Sequence, residues 1–485
     1  MRAACLLSAR AVLIAGPVVL AFFAGGFFDR PRDVALLVAS AVLAVLVAAA
    51  PAGELVPRHA AARVALVAAA AYAAWIGLSV TWAPIRDFAG DDAERALLYA
   101  VTLAAATIAF RARAAARTLE PLAAAGTVIV IGYGLSGRLL PGLITQHPQV
   151  SAAGRLDQPL TYWNAVGALA TIGVVLCARV AGDRERPAAL RAAAAAAAVP
   201  LGMGCYLSFS RGALAALAAG LLALVVLVAP RGRAGQLRAG ALVVGAGAAG
   251  ALAAGLATAV RTGSGALATR DREGAIVLAV AVVLMAAAAL AARAPLPDRS
   301  LALPPWSGWA AMAAIAALLV VPIVAAGGHQ QAAPATGATN QRFSSLGSNR
   351  YAYWRVAIDT GADHPLAGVG ASGFRVEWLR HRHIDETVRD AHSLELETFA
   401  ELGLVGVALL AALLGGVGLS ARAAHRLDPA LAAGPAAALT AWAFHSAIDW
   451  DWEMPALTLV AIVLGGALLA GVDVRALPRS GAPRG

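Results

Sequence analysis

The sequence has no lysine, few charged residues and only three cysteines, and each shortage narrows the class of protein. Charged residues make up 14% of the 485 residues and hydrophobic residues 60%, a balance typical of a chain that enters a membrane repeatedly. The cysteines, Cys5, Cys177 and Cys205, lie in or beside apolar runs without the spacing of a metal or redox site. We therefore expect no function for these thiols.

Long apolar runs fill most of the chain, and many reach the roughly 20 residues that cross a bilayer. The runs show no alternation of apolar and polar residues, and the bilayer core offers no water to an open backbone, so we expect helices rather than barrel strands. The sequence predicts an all-α polytopic membrane protein with about 12–14 transmembrane helices. The predicted spans are 11–28, 34–51, 62–82, 95–110, 119–137, 162–178, 188–207, 212–229, 239–259, 274–292, 306–326, 396–420, 429–447 and 455–472.

The arginines predict the orientation of the helices, because basic residues in short loops are retained on the cytoplasmic side. With the N-terminus inside, 21 arginines fall in cytoplasmic segments and ten in short external ones, and 21 of 28 acidic residues fall outside. Both termini are then cytoplasmic, and the chain divides into N-terminal helices (1–326), a large external loop (327–395) and C-terminal helices with a tail (396–485). The first run resembles a signal peptide, but a second follows at once, so we expect an anchor.

Five polar segments from distant parts of the chain are predicted to meet on the outer side, and Arg211 is the clearest signal among them. This arginine lies between two apolar runs with almost no loop, so its guanidinium is expected near the outer hydrocarbon boundary. A fixed cation there favours an anionic ligand such as phosphate. A tight turn that places an arginine among lipid headgroups is the alternative. The five segments are 86–92, 155–164, 208–211, 327–392 and 445–453.

The large loop carries seven arginines and two motifs. In the first motif, helical spacing places Arg350 and Trp354 on one face at i and i+4, and this pair suits contact with sugar and phosphate. The second motif, HPLAGVG at residues 364–370, indicates a turn with paired glycines. An amphipathic helix lying on the membrane surface would have a similar composition, and both interpretations stay open.

His392 ends the loop, three residues before Glu395 at the start of the next helix. A carboxylate there could orient the imidazole and raise its basicity, as a general base requires. The alternative is a structural histidine beside a glutamate that serves only the helix dipole. Three further loop histidines suggest a metal site, but the arginine within His381-Arg382-His383 argues against a bound dication. We expect no metal and no cofactor.

Three motifs follow one another in a definite order: Ser210-Arg211-Gly212 opening an apolar helix, then Arg350 with Trp354 and residues 364–370, then residues 391–393 (AHS) leading into 401–406 (ELGLVG). Together with the large external loop, they resemble the O-antigen ligase and polymerase family of bacterial membrane glycosyltransferases. Tyr162-Trp163-Asn164 is similar to a further, weaker segment of that family, so the resemblance spans residues 155–406. The family histidine is usually followed by asparagine, whereas this chain has Ser393.

The resemblance implies a metal-independent transferase of the bacterial cytoplasmic membrane, which passes a glycan from a polyprenyl diphosphate to an acceptor hydroxyl on the outer face. By position, His392 would act as base on the acceptor, and Arg211 would bind the diphosphate with the assistance of Arg350. Electrostatic stabilisation of the departing diphosphate should matter more than covalent chemistry. The expected partners are a polyprenyl-diphosphate-linked glycan, a glycan, lipid or cell-wall acceptor, and membrane lipids, but not nucleic acid.

Further residues are expected to contact the sugar or the acceptor. The last external loop, at 449–453, is acidic and aromatic, which suits sugar binding, although an interfacial tryptophan belt has a similar composition. The expected contacts are Trp354, Asn164, Glu395, Asp449 and Asp451.

Other functions remain to be weighed against a ligase. A polysaccharide polymerase of the same family would share the chemistry and differ in acceptor, and we favour the ligase. A flippase or transporter of lipid-linked sugars should place its charges at mid-membrane and show repeated halves, whereas here the charges crowd one face and no repeat is found. A structural partner in envelope assembly would leave His392 and Arg211 unexplained.

Overall fold

The computed structural model describes residues 2–51, 53, 55–325, 337–344 and 347–473. Within these ranges the secondary structure is helical throughout and contains no strand. The helices are α1 (Arg2–Ala21), α2 (Asp29–Ala49), α3 (Ala60–Ser79), α4 (Arg86–Ala109), α5 (Arg113–Leu139), α6 (Trp163–Gly182), α7 (Ala188–Leu207), α8 (Arg211–Leu227), α9 (Pro230–Leu256), α10 (Thr258–Thr262), α11 (Leu267–Arg293), α12 (Ser307–Ala325), α13 (Gln341–Ser344), α14 (Arg350–Asp363), α15 (Phe374–His381), α16 (Leu394–Leu427), α17 (Pro429–Ser446) and α18 (Pro455–Gly471).

Every predicted apolar span coincides with one of these helices, and the all-α polytopic membrane fold is confirmed. Nine helices of the described chain are long and apolar enough to cross a membrane, and α8, α12 and α18 are shorter apolar helices. Helix α6 lies at the centre, where it packs against α5, α7, α8, α9 and α17 and is buried on all sides. Alanine, glycine and valine lie on all faces of α6, and these small side chains permit the close packing.

Several helices, among them α4, α9 and α11, begin earlier than the apolar runs predicted. Hydropathy reports only the apolar part of a helix, but a polar turn continues the helix when its side chains find partners at the end of the bundle. Glu273 is an example, because its carboxylate accepts a hydrogen bond from the Ala259 N–H at 2.7 Å. Helices α4, α9 and α11 begin at residues 86, 230 and 267, where the runs predicted 95, 239 and 274.

The bundle has two polar ends, and we call the one that carries residues 347–393 the loop face. On the opposite end, ion pairs join segments that the sequence predicts to be cytoplasmic, such as Arg113 with Asp428 at 2.7 Å. On the loop face, contacts join the predicted external segments: Ser372 donates to Asp92 at 2.5 Å, and Arg350 pairs with Asp449. The contacts therefore separate the two predicted groups of segments, and which end faces outward stays a prediction.

Residues 364–370 are joined to α16 by backbone hydrogen bonds, and we call this pairing of 364–370 with 400–405 the backbone staple. It brings the two glycine-containing motifs of the sequence into direct contact, so the loop is fixed to the helix by main-chain atoms. The hydrogen bonds run from Val369 N to Ala400 O (3.1 Å), from Gly370 N to Glu401 O (2.8 Å) and from Leu404 N to Pro365 O (2.7 Å).

Two glycines make the backbone staple possible. Gly403 interrupts the helical conformation of α16 with φ 62° and ψ −163°, which opens the helix to the incoming loop. Gly368 has φ 65°, and a methyl group added there would lie 2.2 Å from the carbonyl carbon of Glu401. Both positions require glycine, because other residues rarely adopt this φ and a side chain would overlap the partner backbone.

Candidate active site

His392 lies where the loop joins α16, with a left-handed backbone of φ 57° that is uncommon for a residue other than glycine. Its ring Nδ1 lies 3.0 Å from the carbonyl oxygen of Asp390. Because a carbonyl oxygen only accepts hydrogen bonds, Nδ1 carries the proton and Nε2 keeps a lone pair. The contact thus fixes the tautomer in which Nε2 can accept a proton.

The surroundings of His392 keep its imidazole neutral. Burial is the largest cause and Arg350 adds to it against the opposing charge of Asp449, so the pKa of His392 falls to about 4. Glu395 does not orient this ring as expected, because its side chain is exposed and accepts a hydrogen bond from Ser393 at 3.5 Å. The backbone carbonyl of Asp390, and not the expected carboxylate of Glu395, orients the imidazole.

Helix α14 supports the histidine from one side. The Trp354 indole N–H donates to the backbone carbonyl of His392 at 3.3 Å, and the Tyr353 ring centroid lies 5.2 Å from the imidazole. Arg350 and Trp354 both reach the site, as their spacing predicts. Trp354, however, holds the strained turn of His392, which is a positioning role rather than the expected sugar contact.

Asp449 connects three parts of the chain although only 1% of its surface is exposed. It pairs with Arg350 and accepts hydrogen bonds from Tyr162 at 2.7 Å and Asn164 at 2.8 Å. Burial alone would raise its pKa, but Arg350, His445 and then His392 hold the pKa of Asp449 below the usual value. Asn164 also donates to Tyr162 at 2.7 Å, so both polar hydrogens of its amide are used within the network.

These contacts assign Asn164 and Asp449 a different task from the predicted one. Both were expected to contact sugar, but both carboxylate oxygens of Asp449 and the amide nitrogen of Asn164 are engaged by protein groups. Together they hold Arg350 in place at the start of α14. The acidic loop also contains Asp451, which is fully buried and pairs with the Nδ1 atom of His445 at 3.0 Å.

Arg211 begins α8, directly after a helix cap. The hydroxyl of Ser210 accepts a hydrogen bond from the Ala213 N–H at 3.2 Å, which satisfies one donor of the first turn. The Arg211 guanidinium donates to the carbonyl of Gly347 at 3.0 Å, so the helix start touches the large loop. Arg211 is therefore anchored on the loop face, as the sequence predicts.

Arg211, Arg342 and Arg350 form what we call the guanidinium cluster. Arg342 lies in α13, within electrostatic range of the other two, and burial followed by these two cations lowers the pKa of Arg342. Arg350 is likewise within electrostatic range of Arg211 and of His392. Three buried or half-buried cations repel one another, so an anion bound between them would be stabilised.

Carboxylates gather beside the histidine on the side of α4 and α16. Asp390, Glu397 and Glu453 each place an oxygen within 4.8 Å of the others, a spacing that could hold a cation. Two already have partners, because Glu453 pairs with Arg95 at 2.5 Å and Glu397 accepts from the Ala391 N–H at 2.7 Å. Burial raises the pKa of Asp390 well above its usual value, and a protonated carboxyl is a poor metal ligand.

Two cavities adjoin these residues. The first, which we call the outer cleft, is a polar space of about 650 Å³ between α14 and α15, and His392 is not part of its lining. Three histidines considered as metal ligands lie in the outer cleft. Its lining includes Arg355, Asp359, Asp363, His364, His381 and His383.

The second space, which we call the apolar cavity, measures about 140 Å³ and lies among α3, α4, α16, α17 and α18. Its walls include Leu103, Leu413 and Ile462, and Asp92 and Glu401 line the end near the loop face. Leu394 and Thr398 also belong to the lining, so the apolar cavity begins within two residues of His392.

Sequence reasoning did not single out Arg342 or His445 as site residues. Arg342 was one of seven arginines in the loop, and nothing in its neighbours separated it from the rest. His445 had a signal that could have identified it, since it is a lone histidine at the end of an apolar run, six residues before Asp451.

Comparison with known proteins gives one family. The family described as O-antigen ligase matches residues 257–411. The matched range includes Arg342, Arg350, Trp354 and His392, and it leaves out the N-terminal helices and the loop of Asp449. No curated protein matches the sequence.

Proposed function

Since residues 257–411 match the O-antigen ligase family, we propose that the chain is a member of this family and that the loop face carries the active site of a glycan ligase. The reaction moves an oligosaccharide or polysaccharide from a polyprenyl diphosphate to an acceptor hydroxyl, at the outer face of the bacterial cytoplasmic membrane. The acceptor is a glycan, a lipid or a cell-wall polymer. The reaction needs no metal or other cofactor.

The guanidinium cluster is the observation that carries this proposal. Arg211 opens a helix of purely apolar residues, so a ligand bound there has its polar group at the cluster and its apolar part beside the helices. A polyprenyl diphosphate has this division, and guanidinium groups match phosphate oxygens with paired donors. As the bond to the glycan breaks, negative charge grows on the diphosphate, and the preformed cluster stabilises it.

His392 supplies the second half of the reaction. The acceptor oxygen attacks the anomeric carbon, the acceptor proton passes to Nε2 of His392, and the bond between the anomeric carbon and the phosphate oxygen breaks. The electron pair of that bond leaves with the diphosphate. A neutral imidazole with a fixed tautomer is ready to accept this proton, and Trp354 and Asp390 keep the ring in place.

The outer cleft fits the glycan. Its volume of about 650 Å³ lies within the roughly 300–1,000 Å³ of pockets for small ligands, so it has room for a short part of the glycan. Arg355 and Asp359 are exposed at successive turns of α14, on a different face from Arg350 and Trp354. A glycan leaving the cluster along α14 would pass these side chains, whose charges and hydrogen-bonding groups suit sugar hydroxyls.

The apolar cavity favours a ligase over a polymerase. The cation of its lining, Arg95, is already paired with Asp92 and Glu453, so the cavity does not suit the diphosphate of the carrier. It suits an acceptor whose lipid part occupies the apolar walls and whose hydroxyl groups reach towards His392. The acceptor of a polymerase is itself linked to a diphosphate. Such an acceptor would not suit this cavity.

Transfer in a purified system tests the proposal. With lipid-linked glycan and acceptor in proteoliposomes, His392→Ala should abolish product, and His147→Ala, an exposed histidine of the loop face, should leave the rate unchanged. Transfer should also persist in excess EDTA. Normal product from the His392→Ala protein would contradict the role of the base.

The lipid-linked glycans of a deletion strain separate the two members of the family. A strain without a ligase should accumulate carriers that bear long glycans, because polymerisation continues without transfer. Carriers that bear single repeat units would instead indicate a polymerase. No accumulation of capped carrier would contradict both.

A further inference from the structure

His445 is a buried histidine with one ring nitrogen left unused. The side chain is 1% exposed and lies at the end of α17, and its Nδ1 atom contacts the Asp451 carboxylate at 3.0 and 3.2 Å. The opposite nitrogen, Nε2, is buried and has no hydrogen-bond partner among the described residues. Leaving a buried polar atom unpaired is unfavourable, so a partner from outside the chain is indicated.

The free nitrogen faces the start of α8. A methyl group added to Gly212 would lie 3.3 Å from Nε2, and Gly212 follows Arg211 at the first turn of this 17-residue helix. The first turn of a helix presents backbone N–H groups and partial positive charge, which attract anions. Nε2 of His445 therefore borders the region where the helix start and Arg211 already favour negative charge.

The partners of the two histidines give them opposite roles. His392 contacts a backbone carbonyl and lies near the Arg350 cation, so its ring stays neutral and keeps the lone pair of Nε2. His445 contacts a buried carboxylate, and such a partner stabilises a ring that carries protons on both nitrogens. In this form Nε2 of His445 is a hydrogen-bond donor. Two titratable side chains whose surroundings favour opposite protonation states are a common arrangement for the acid and the base of one active site.

We propose that His445 is a further catalytic residue, which donates a hydrogen bond from Nε2 to the phosphate oxygens of the polyprenyl diphosphate, with Asp451 as its positioning residue. This inference rests on the proposed function. No proton needs to be transferred: the donor neutralises charge that grows on the diphosphate as the glycan departs, beside the guanidinium cluster. Glycine at position 212 brings the helix start close to Nε2, because an added methyl group would lie 3.0 Å from Ile448 Cδ1 and 3.3 Å from Nε2.

Binding of undecaprenyl diphosphate without glycan, by the purified full-length protein in detergent, tests the role directly. His445→Ala should weaken this binding on the order of tenfold or more, because a hydrogen bond to a charged group is lost. His445→Gln keeps the size and a donor and should lose less. His425→Ala is the matched control, since that ring contacts the backbone carbonyl of Leu227 at the other end of the bundle, and its affinity should equal that of the wild type.

Transfer kinetics provide a readout that a purely structural role would not move. The kcat of His445→Ala should fall more than its KM rises, because the hydrogen bond strengthens as charge develops, and His445→Gln should restore part of kcat. Wild-type affinity and wild-type kcat in a folded His445→Ala protein, or a His445→Gln protein that performs no better than His445→Ala, would overturn the role of His445 and leave the proposed function intact. Failure of the wild-type protein itself to bind undecaprenyl diphosphate would overturn the proposed function as well.

Discussion

The ion pair between Arg350 and Asp449 should couple the large loop to the last external turn, and a double-mutant cycle can measure this coupling. Asp449 is 1% and Arg350 23% exposed at the side chain, and Asp449 also accepts from Tyr162 and Asn164. Asp449→Asn leaves the arginine charge without its partner, and Arg350→Met leaves the carboxylate charge uncompensated. Breaking such a buried pair from one side costs about 3–5 kcal/mol.

The double variant should cost less than the sum of the single variants, because neither charge is then left alone. The arginine is partly exposed, so solvent reduces the effect, and we expect a coupling energy of about 2–3 kcal/mol. The free energy of unfolding of the purified protein can be measured by titration with SDS in mixed micelles. A matched control is the exposed pair of Arg380 and Glu377, 63% and 14% exposed at the side chain.

The control cycle, with Arg380→Met and Glu377→Gln, should give a coupling energy of about 0–1 kcal/mol, as is usual for surface pairs. If the cycle at Arg350 and Asp449 gives less than about 0.5 kcal/mol, the two sites are additive within the usual scatter. In that case the contact would not join the loop to the last external turn, and the positioning roles of Asn164 and Tyr162 would lose their basis.

Three further predictions concern the base, the diphosphate site and the backbone staple. The transfer rate should fall with decreasing pH only near pH 4, because His392 becomes protonated there and the neutral ring is the active form. A fall centred near pH 6.5 in the pH profile of kcat would contradict the lowered pKa of His392. Arg211→Lys should reduce kcat/KM roughly tenfold or more although the charge is kept, since an ammonium cannot reproduce the paired guanidinium donors. Wild-type kinetics of the Arg211→Lys protein would mean that Arg211 only contacts lipid headgroups. Gly368→Ala should lower the free energy of unfolding by about 2–6 kcal/mol through strain at positive φ and overlap with Glu401. The control Gly415→Ala, in open space on α16, should leave the free energy of unfolding equal or higher. Equal values for both variants in the SDS titration would exclude the backbone staple.

The helices could be predicted from the sequence because the bilayer leaves an apolar run few alternatives. Each run became a helix, and the arginine distribution placed the polar segments on two ends in agreement with the observed contacts. Polar helix starts were missed at α4, α9 and α11, since hydropathy does not report a turn such as that of Glu273, whose stability depends on a partner in another segment.

The members of the candidate site could be predicted, but not their contacts. Arg350 and Asp449 are 99 residues apart, and nothing in the sequence separates Asp449 from Asp451, which lie in one short loop and hold different partners. The irregular backbone of that loop decides which carboxylate meets Arg350 and which meets His445. Glu395 was expected beside His392 from its spacing alone, but the helix start directs it to solvent.

The backbone staple has a practical consequence for work with related chains. Because main-chain atoms of 364–370 bond to main-chain atoms of 400–405, and both partners depend on glycine, neither half is free to be exchanged for a foreign sequence of different length. Chimeras that swap the loop alone should misfold at this junction, whereas those that transplant residues 347–405 as one cassette should fold. Because the outer cleft lies within this cassette, preference for the donor glycan could then be moved between relatives.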